Sequence, residues 1–185
     1  MPQVDQILEL YEQRGGSLYG GEAVTQLEHA LQSAWLAEQE QSSPQLIVAA
    51  LVHDVGHLLH ELPDDAPDAG VDDHHERSAA NWLRALFPPS VTEPVRLHVA
   101  AKRYLCTVEP GYLAALSEPS LVSYRLQGGP MPPDEVREFE QHPHSADAVR
   151  LRRWDDTAKV PKLPTPPLAH FAPLLHQVAV RNSPA

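Results

Sequence analysis

His53 and Asp54 stand side by side inside the apolar run Leu46-Ile-Val-Ala-Ala-Leu-Val-His-Asp-Val-Gly-His-Leu-Leu59. A carboxylate and an imidazole in such surroundings cost several kcal/mol unless something satisfies them. A buried metal ion is the simplest partner, and the chain supplies further ligand types. They are His29 in Val24-Thr-Gln-Leu-Glu-His29, His75 in Asp72-Asp-His-His-Glu76, His98 in Val95-Arg-Leu-His98, and Asp155 in Leu151-Arg-Arg-Trp-Asp155. Four imidazoles and two carboxylates form a nitrogen and oxygen donor set without thiolate. Such a set suits iron, manganese or zinc, and a bridging carboxylate such as Asp54 suits two ions. His74 competes with His75 for its place, and Asp156 with Asp155. A single His on a helix is ordinarily a surface or satisfied core residue, and His60, His142, His144, His170 and His176 read that way.

The elements that must position these residues are helices. Breakers cluster at Gly15-Gly16, Gly20-Gly21, Ser42 to Pro44, Pro63 to Gly70, Pro88-Pro89, Pro94, Pro110-Gly111, Gly128 to Pro133 and Pro161 to Pro167. Between them apolar residues recur at three- and four-residue spacing, which predicts helices near 3–14, 23–40, 44–60, 73–87, 92–107, 110–115, 118–126, 133–139, 144–159 and 168–180. Asp73, Ser117 and Pro133-Asp134 are expected helix starts. Neighbouring helical side chains diverge by about 100°. On that reading, His53 and Asp54 share a centre only if it lies between helices. No stretch alternates with period two. The expectation is an all-α bundle forming a single domain over residues 1–185, with a metal core at 19–160 and a Pro-rich extension at 161–185.

The formal charge of -11 argues against nucleic acid or an anionic membrane as the main partner. Cys106 is the only cysteine, which rules out a disulfide framework or a thiolate-rich metal site. With neither a signal pattern nor a bilayer-length apolar run, a cytoplasmic location is expected.

The order His … His-Asp … His … His … Asp resembles the HD-domain superfamily, most of whose members are phosphohydrolases. Three stretches resemble a smaller branch, the mixed-valent diiron oxygenases that cleave phosphonates (the PhnZ and TmpB type). They are Tyr19-Gly-Gly-Glu-Ala-Val-Thr-Gln-Leu-Glu-His29, His53-Asp-Val-Gly-His57 and Leu151-Arg-Arg-Trp-Asp-Asp-Thr-Ala-Lys159. In the more distant myo-inositol oxygenase a lysine replaces the last His of the second stretch. The resemblance implies an HD-type helical bundle and two iron ions as an Fe(II)/Fe(III) pair, with dioxygen as co-substrate. One iron would be held by His29, His53, Asp54 and Asp155, the other by His75, His98 and the bridging Asp54. Glu76 after His75 matches the family's His-Glu motif, and Trp154 precedes Asp155 as the family's aromatic precedes its last ligand.

Lys102 follows His98 by four residues, so the two share a helix face about 6 Å apart along the axis. His57 bears the same spacing to His53. The resemblance makes both of them holders of a phosphonate, with weaker contributions from Ser120 and Ser123. It makes the Gly20-Gly21 loop a lid, whose Tyr19 occupies an iron when substrate is absent and whose Glu22 meets the substrate's amine. The implied substrate is a small organophosphonate of the 1-hydroxy-2-aminoethylphosphonate type, with a primary amine or a trimethylammonium, cleaved to phosphate and glycine or glycine betaine. A metal-dependent HD phosphohydrolase acting on a phosphate ester or nucleotide is the rival reading.

Overall fold

The computed structural model describes residues 3–59 and 74–180. Among these residues it is all-helical, with one isolated antiparallel bridge between Leu18 and Thr25. The helices are α1 (Val4–Arg14), α2 (Gln26–Gln39), α3 (Pro44–Val52), α4 (Gly56–Leu59), α5 (His75–Leu83), α6 (Pro89–Val108), α7 (Tyr112–Ala115), α8 (Glu118–Leu126), α9 (Pro133–Gln141), α10 (Ser145–Thr157) and α11 (Leu168–Val178).

α3 is the hub. Every residue from Leu46 to Val52 is buried, so the helix is apolar all round and has no solvent face. The main core gathers α3 with Ile7 and Tyr11 of α1, Ala30 and Ala34 of α2, Ala79 and Leu83 of α5, Val91 and Val95 of α6, and Leu151 and Trp154 of α10. A smaller cluster of Leu97, Ala101, Met131, Phe139 and Ala148 ties α6, α9 and α10 together. Two hydrogen bonds reach from α1 to the metal-bearing stretch: the Tyr11 hydroxyl donates to Leu51 O at 2.6 Å and Arg14 to Leu58 O at 3.0 Å.

Four boundaries differ from the sequence expectation. The stretch expected as one helix over 44–60 is two, because bonding changes to three-residue turns after Val52: Val55 N–H to Val52 O, His57 N–H to Asp54 O and Leu58 N–H to Val55 O. His53 therefore closes α3 and Asp54 lies in a turn, so the two are not neighbours inside a helix. α2 starts at Gln26 rather than 23, because Thr25 and Glu28 form a reciprocal capping box. α6 starts at Pro89 rather than 92, and Pro94, inside the expected helix although a breaker by type, lies buried within it. The expected cap Asp73 lies outside the described residues. α5 instead begins after His74, which adopts a left-handed φ of 48°. Ser117 does cap α8, accepting from Ser120 N–H, and Pro133-Asp134 do open α9. Beyond the proline-rich segment, α11 seats Phe171, Leu175 and Val178 on the main core.

Candidate metal centre

Four ring nitrogens and two carboxylates converge where α2, α3, α5, α6 and α10 meet. His29 and His53 are fully buried, and their Nδ1 atoms lie 2.8 Å from Ala158 O and 2.9 Å from Ala50 O. His98 does the same with Val95 O at 2.7 Å. A neutral imidazole that donates Nδ1–H to a carbonyl keeps its lone pair on Nε2, the arrangement that aims a histidine at a metal. The Nε2 atoms of His29 and His53 lie 3.2 Å apart, as do those of His75 and His98.

Asp54 lies between the two pairs. Its Oδ2 is 3.4 Å from His29 Nε2 and 3.2 Å from His53 Nε2, while its Oδ1 is 3.4 Å from His75 Nε2 and 3.3 Å from His98 Nε2. Neither oxygen receives an aligned hydrogen bond, although both are buried. Burial opposes ionisation, yet the surrounding imidazoles, His53 foremost, hold Asp54 well below the usual carboxylate range. Asp155 completes the first group, with Oδ1 3.4 Å from His29 Nε2. Burial would depress His29, but Asp155 and Asp54 raise it to about 9. One donor atom each from His29, His53, Asp54 and Asp155 lies within 4.8 Å of the others, and the same holds for Asp54, His75 and His98. The buried Asp54 oxygens, with no aligned hydrogen-bond donor and four imidazole nitrogens around them, fit cations.

The turn at Asp54 explains how adjacent residues serve one centre, and Gly56 explains the turn. A Cβ there would sit 2.1 Å from His75 O, so only glycine lets the Asp54 turn lie against the start of α5. His75 is turned inward and His74 is exposed; Asp155 faces the centre while Asp156 pairs with Arg152 and Tyr112. His142 meets Glu93, His170 meets Glu38 and His176 meets Asp5, all away from the centre. His60 lies outside the described residues.

A cavity of about 390 Å³ opens beside the ligands, lined among others by Tyr19, Glu22, His57, Lys102, Ser120 and Ser123. The Tyr19 ring stacks on His29 with centroids 3.9 Å apart, and its hydroxyl lies 3.4 Å from Asp155 Oδ1. Burial and Asp155 raise its pKa. Gly20 and Gly21, at φ of 41° and 81°, turn the chain back behind it. His57 stacks on His75 at 4.0 Å. Lys102 donates to Ser123 Oγ at 2.8 Å; burial, aided by Arg152, lowers its pKa to about 7.

Arg152 and Lys159 also line this cavity, and the sequence reading did not single them out. Lys159 Nζ lies 3.0 Å from Glu22 and 2.7 Å from Ser120 Oγ, and Ser117 donates to Glu22 at 2.5 Å. Spacing carried a signal for Arg152, which precedes Asp155 by three residues, a helical offset that shares a face. Lys159 lies beyond the end of α10 at Thr157, so the chain after the helix, not a helical offset, brings it to the cavity.

A [1-hydroxy-2-(trimethylamino)ethyl]phosphonate dioxygenase (glycine-betaine-forming) from Leisingera caerulea is 42% identical over 173 residues, covering 94% of this chain and 88% of its own. A hydroxymethylphosphonate dioxygenase from Gimesia maris is 47% identical over 170 residues, 91% of this chain and 84% of its own. This chain belongs to the phosphonate dioxygenase family. A third relative, from Acanthamoeba polyphaga mimivirus, is 38% identical over 93% of the chain and 80% of its own. No family model matches the chain. Within the phosphonate dioxygenases, then, the buried His/Asp cluster is the group of residues able to hold the metal of an oxygenase. No helix among the described residues is long and apolar enough to cross a membrane.

Proposed function

We propose that this chain is a diiron oxygenase that uses O2 to break the C–P bond of a 1-hydroxyalkylphosphonate. The observation that carries the reading is Asp54, a buried carboxylate whose two oxygens each face a separate pair of imidazoles beside a cation-lined cavity. His29, His53, Asp54 and Asp155 would hold one iron, and Asp54, His75 and His98 the other. Bound there, an Fe(II)/Fe(III) pair would supply the redox chemistry by which dioxygen oxidises C1. The balance is R–CH(OH)–PO3H2 + O2 giving R–COOH + H3PO4, with C1 oxidised and O2 reduced.

The protein's part is binding and exclusion of water. Lys102 and His57 line the cavity and would take the phosphonate oxygens, with Ser123 fixing Lys102 and Ser120 fixing Lys159 beside them. Oriented charges in a closed cavity act far more strongly than in water. Tyr19 covers His29 and would withdraw when substrate enters. Glu22, on the same lid, would face the substituent on C1. The relatives' substrates span a trimethylammonium and a bare hydrogen at that end. On this reading residues 1–185 form one HD domain that acts on a small molecule in the cytoplasm.

The test is oxygen uptake and phosphate release, followed together on iron-loaded protein. The substrates are 2-amino-1-hydroxyethylphosphonate, its trimethylammonium analogue and hydroxymethylphosphonate. Equal uptake and release on any of them supports the proposal, and the preferred one names the substituent: glycine, glycine betaine or formate is the acid formed. Phosphate freed from ordinary esters with no oxygen consumed would replace it with a hydrolase.

A further inference from the structure

The two oxygens of Asp155 have different surroundings. Oδ1 faces His29 Nε2 and the Tyr19 hydroxyl, each at 3.4 Å. Oδ2 lies 2.6 Å from Arg152 Nη1 and 3.8 Å from His53 Nε2. Arg152 is 3% exposed, although it carries a charge. Its other edge is already used: Nε lies 3.1 Å from Asp156 Oδ2, and Nη2 pairs with Asp156 Oδ1. The Tyr112 hydroxyl on α7 donates to that same Asp156 Oδ2. The four side chains therefore form one line from α7 through α10 to the centre.

We infer that Arg152, held by Asp156 and Tyr112, is a positioning residue that restrains Asp155 to present Oδ1 alone to the metal. The inference rests on the reading of Asp155 as a ligand. A carboxylate's last torsion is broad and roughly two-fold, so a free Asp155 would rotate and share both oxygens. A guanidinium is a rigid planar fork with donors on two edges. With one edge locked bidentately on Asp156, Nη1 is held in place and forms an ion pair with Oδ2. Asp156 in turn is kept from rotating by Tyr112. The opposing assignment gives Arg152 to the substrate's phosphonate, since it also lines the cavity. Three contacts to two carboxylates leave it little freedom to change partners.

The experiment compares wild type with Asp156→Asn and Tyr112→Phe, each iron-loaded. Three quantities are read: iron per chain, the electron paramagnetic resonance spectrum of the half-reduced protein, and kcat against KM. Asp156→Asn should keep its iron, shift the spectrum, and lower kcat about 10-fold, the low end for a residue supporting a metal ligand. Its KM should stay within about two-fold. Tyr112→Phe should move spectrum and kcat in the same direction by less. It removes one hydroxyl from a half-buried ring, so it carries the test if Asp156→Asn fails to fold. An unchanged spectrum with a raised KM would overturn the inference and give Arg152 to the substrate. Wild-type protein that bound no iron would instead overturn the functional reading beneath it.

Discussion

Asp54 serves both halves of the centre, so its loss should be felt at both. Asp54→Ala removes the carboxylate that lies within 3.2–3.4 Å of all four Nε2 atoms. Iron per chain, measured after desalting, should fall from about two to well below one. Retention of two irons would show that Asp54 is not the bridge. Lys102 should instead keep the metals and lose the substrate. Its pKa is lowered to about 7, so in the free enzyme it is charged below that pH and neutral above it. A dianion binds the charged form, so KM should rise about 10-fold per unit as pH climbs past 7, one pKa unit being about 1.4 kcal/mol. In Lys102→Met, KM should be high throughout and lack that dependence. The ligand types were legible in the sequence because buried His and Asp are costly without a partner. Arg152 and Lys159 were not singled out, since a cation on a helix usually extends into solvent. Only the fold shows that Arg152 is buried and that both line the cavity.

At the level of elements, helices and their apolar spacing were readable, while the contacts that cut them were not. The run Leu46 to Leu59 is apolar almost throughout, and local sequence favours one helix across it. What breaks it is tertiary: the backbone of His75 lies where a Cβ on residue 56 would be. Pro94 shows the converse. A local breaker is carried inside α6 because Val91, Val95 and Leu97 around it are packed. Gly56→Ala is the corresponding prediction. The new Cβ would meet His75 O at 2.1 Å, and backbone on both sides leaves no flexible tip to yield. Separating the Asp54 turn from α5 should cost about 2–4 kcal/mol, in the range of severe core substitutions. A melting curve should drop by about 5–15 °C for a chain of this size. Iron loss should be greatest in the group formed by Asp54, His75 and His98, seen as a product closer to one iron per chain. A variant with wild-type melting and two irons would mean that the close approach is not needed.

Taken whole, the molecule carries a charge of -11, yet its buried centre holds two carboxylates that call for cations. Metal-free protein has Arg152 beside Asp155 and, for the remaining negative charge, protons on imidazoles. His29 is raised from its ordinary 6.5 to about 9 by Asp155 and Asp54 against the effect of burial. A pKa raised on folding adds stability that is complete below the unfolded value and disappears as pH rises through the folded one. The metal-free protein should therefore lose stability between pH 6.5 and 9, by up to about 3 kcal/mol from this group. Bound metal replaces those protons and needs the imidazoles neutral, so the loaded protein escapes the loss. Lys102 titrates in the same window with the opposite sign, so the comparison is run in Lys102→Met as well, where that contribution is removed. Metal at 1,000 times its dissociation constant adds about 4 kcal/mol per site, which is roughly 8–16 °C at this chain length. Melting curves of iron-loaded and chelator-stripped protein, run in parallel at pH 6.5, 7.5 and 8.5, should show that gap and show it widening with pH. A gap that is constant across the three would mean that His29 is already neutral in the metal-free fold and that no proton stands in for the cation.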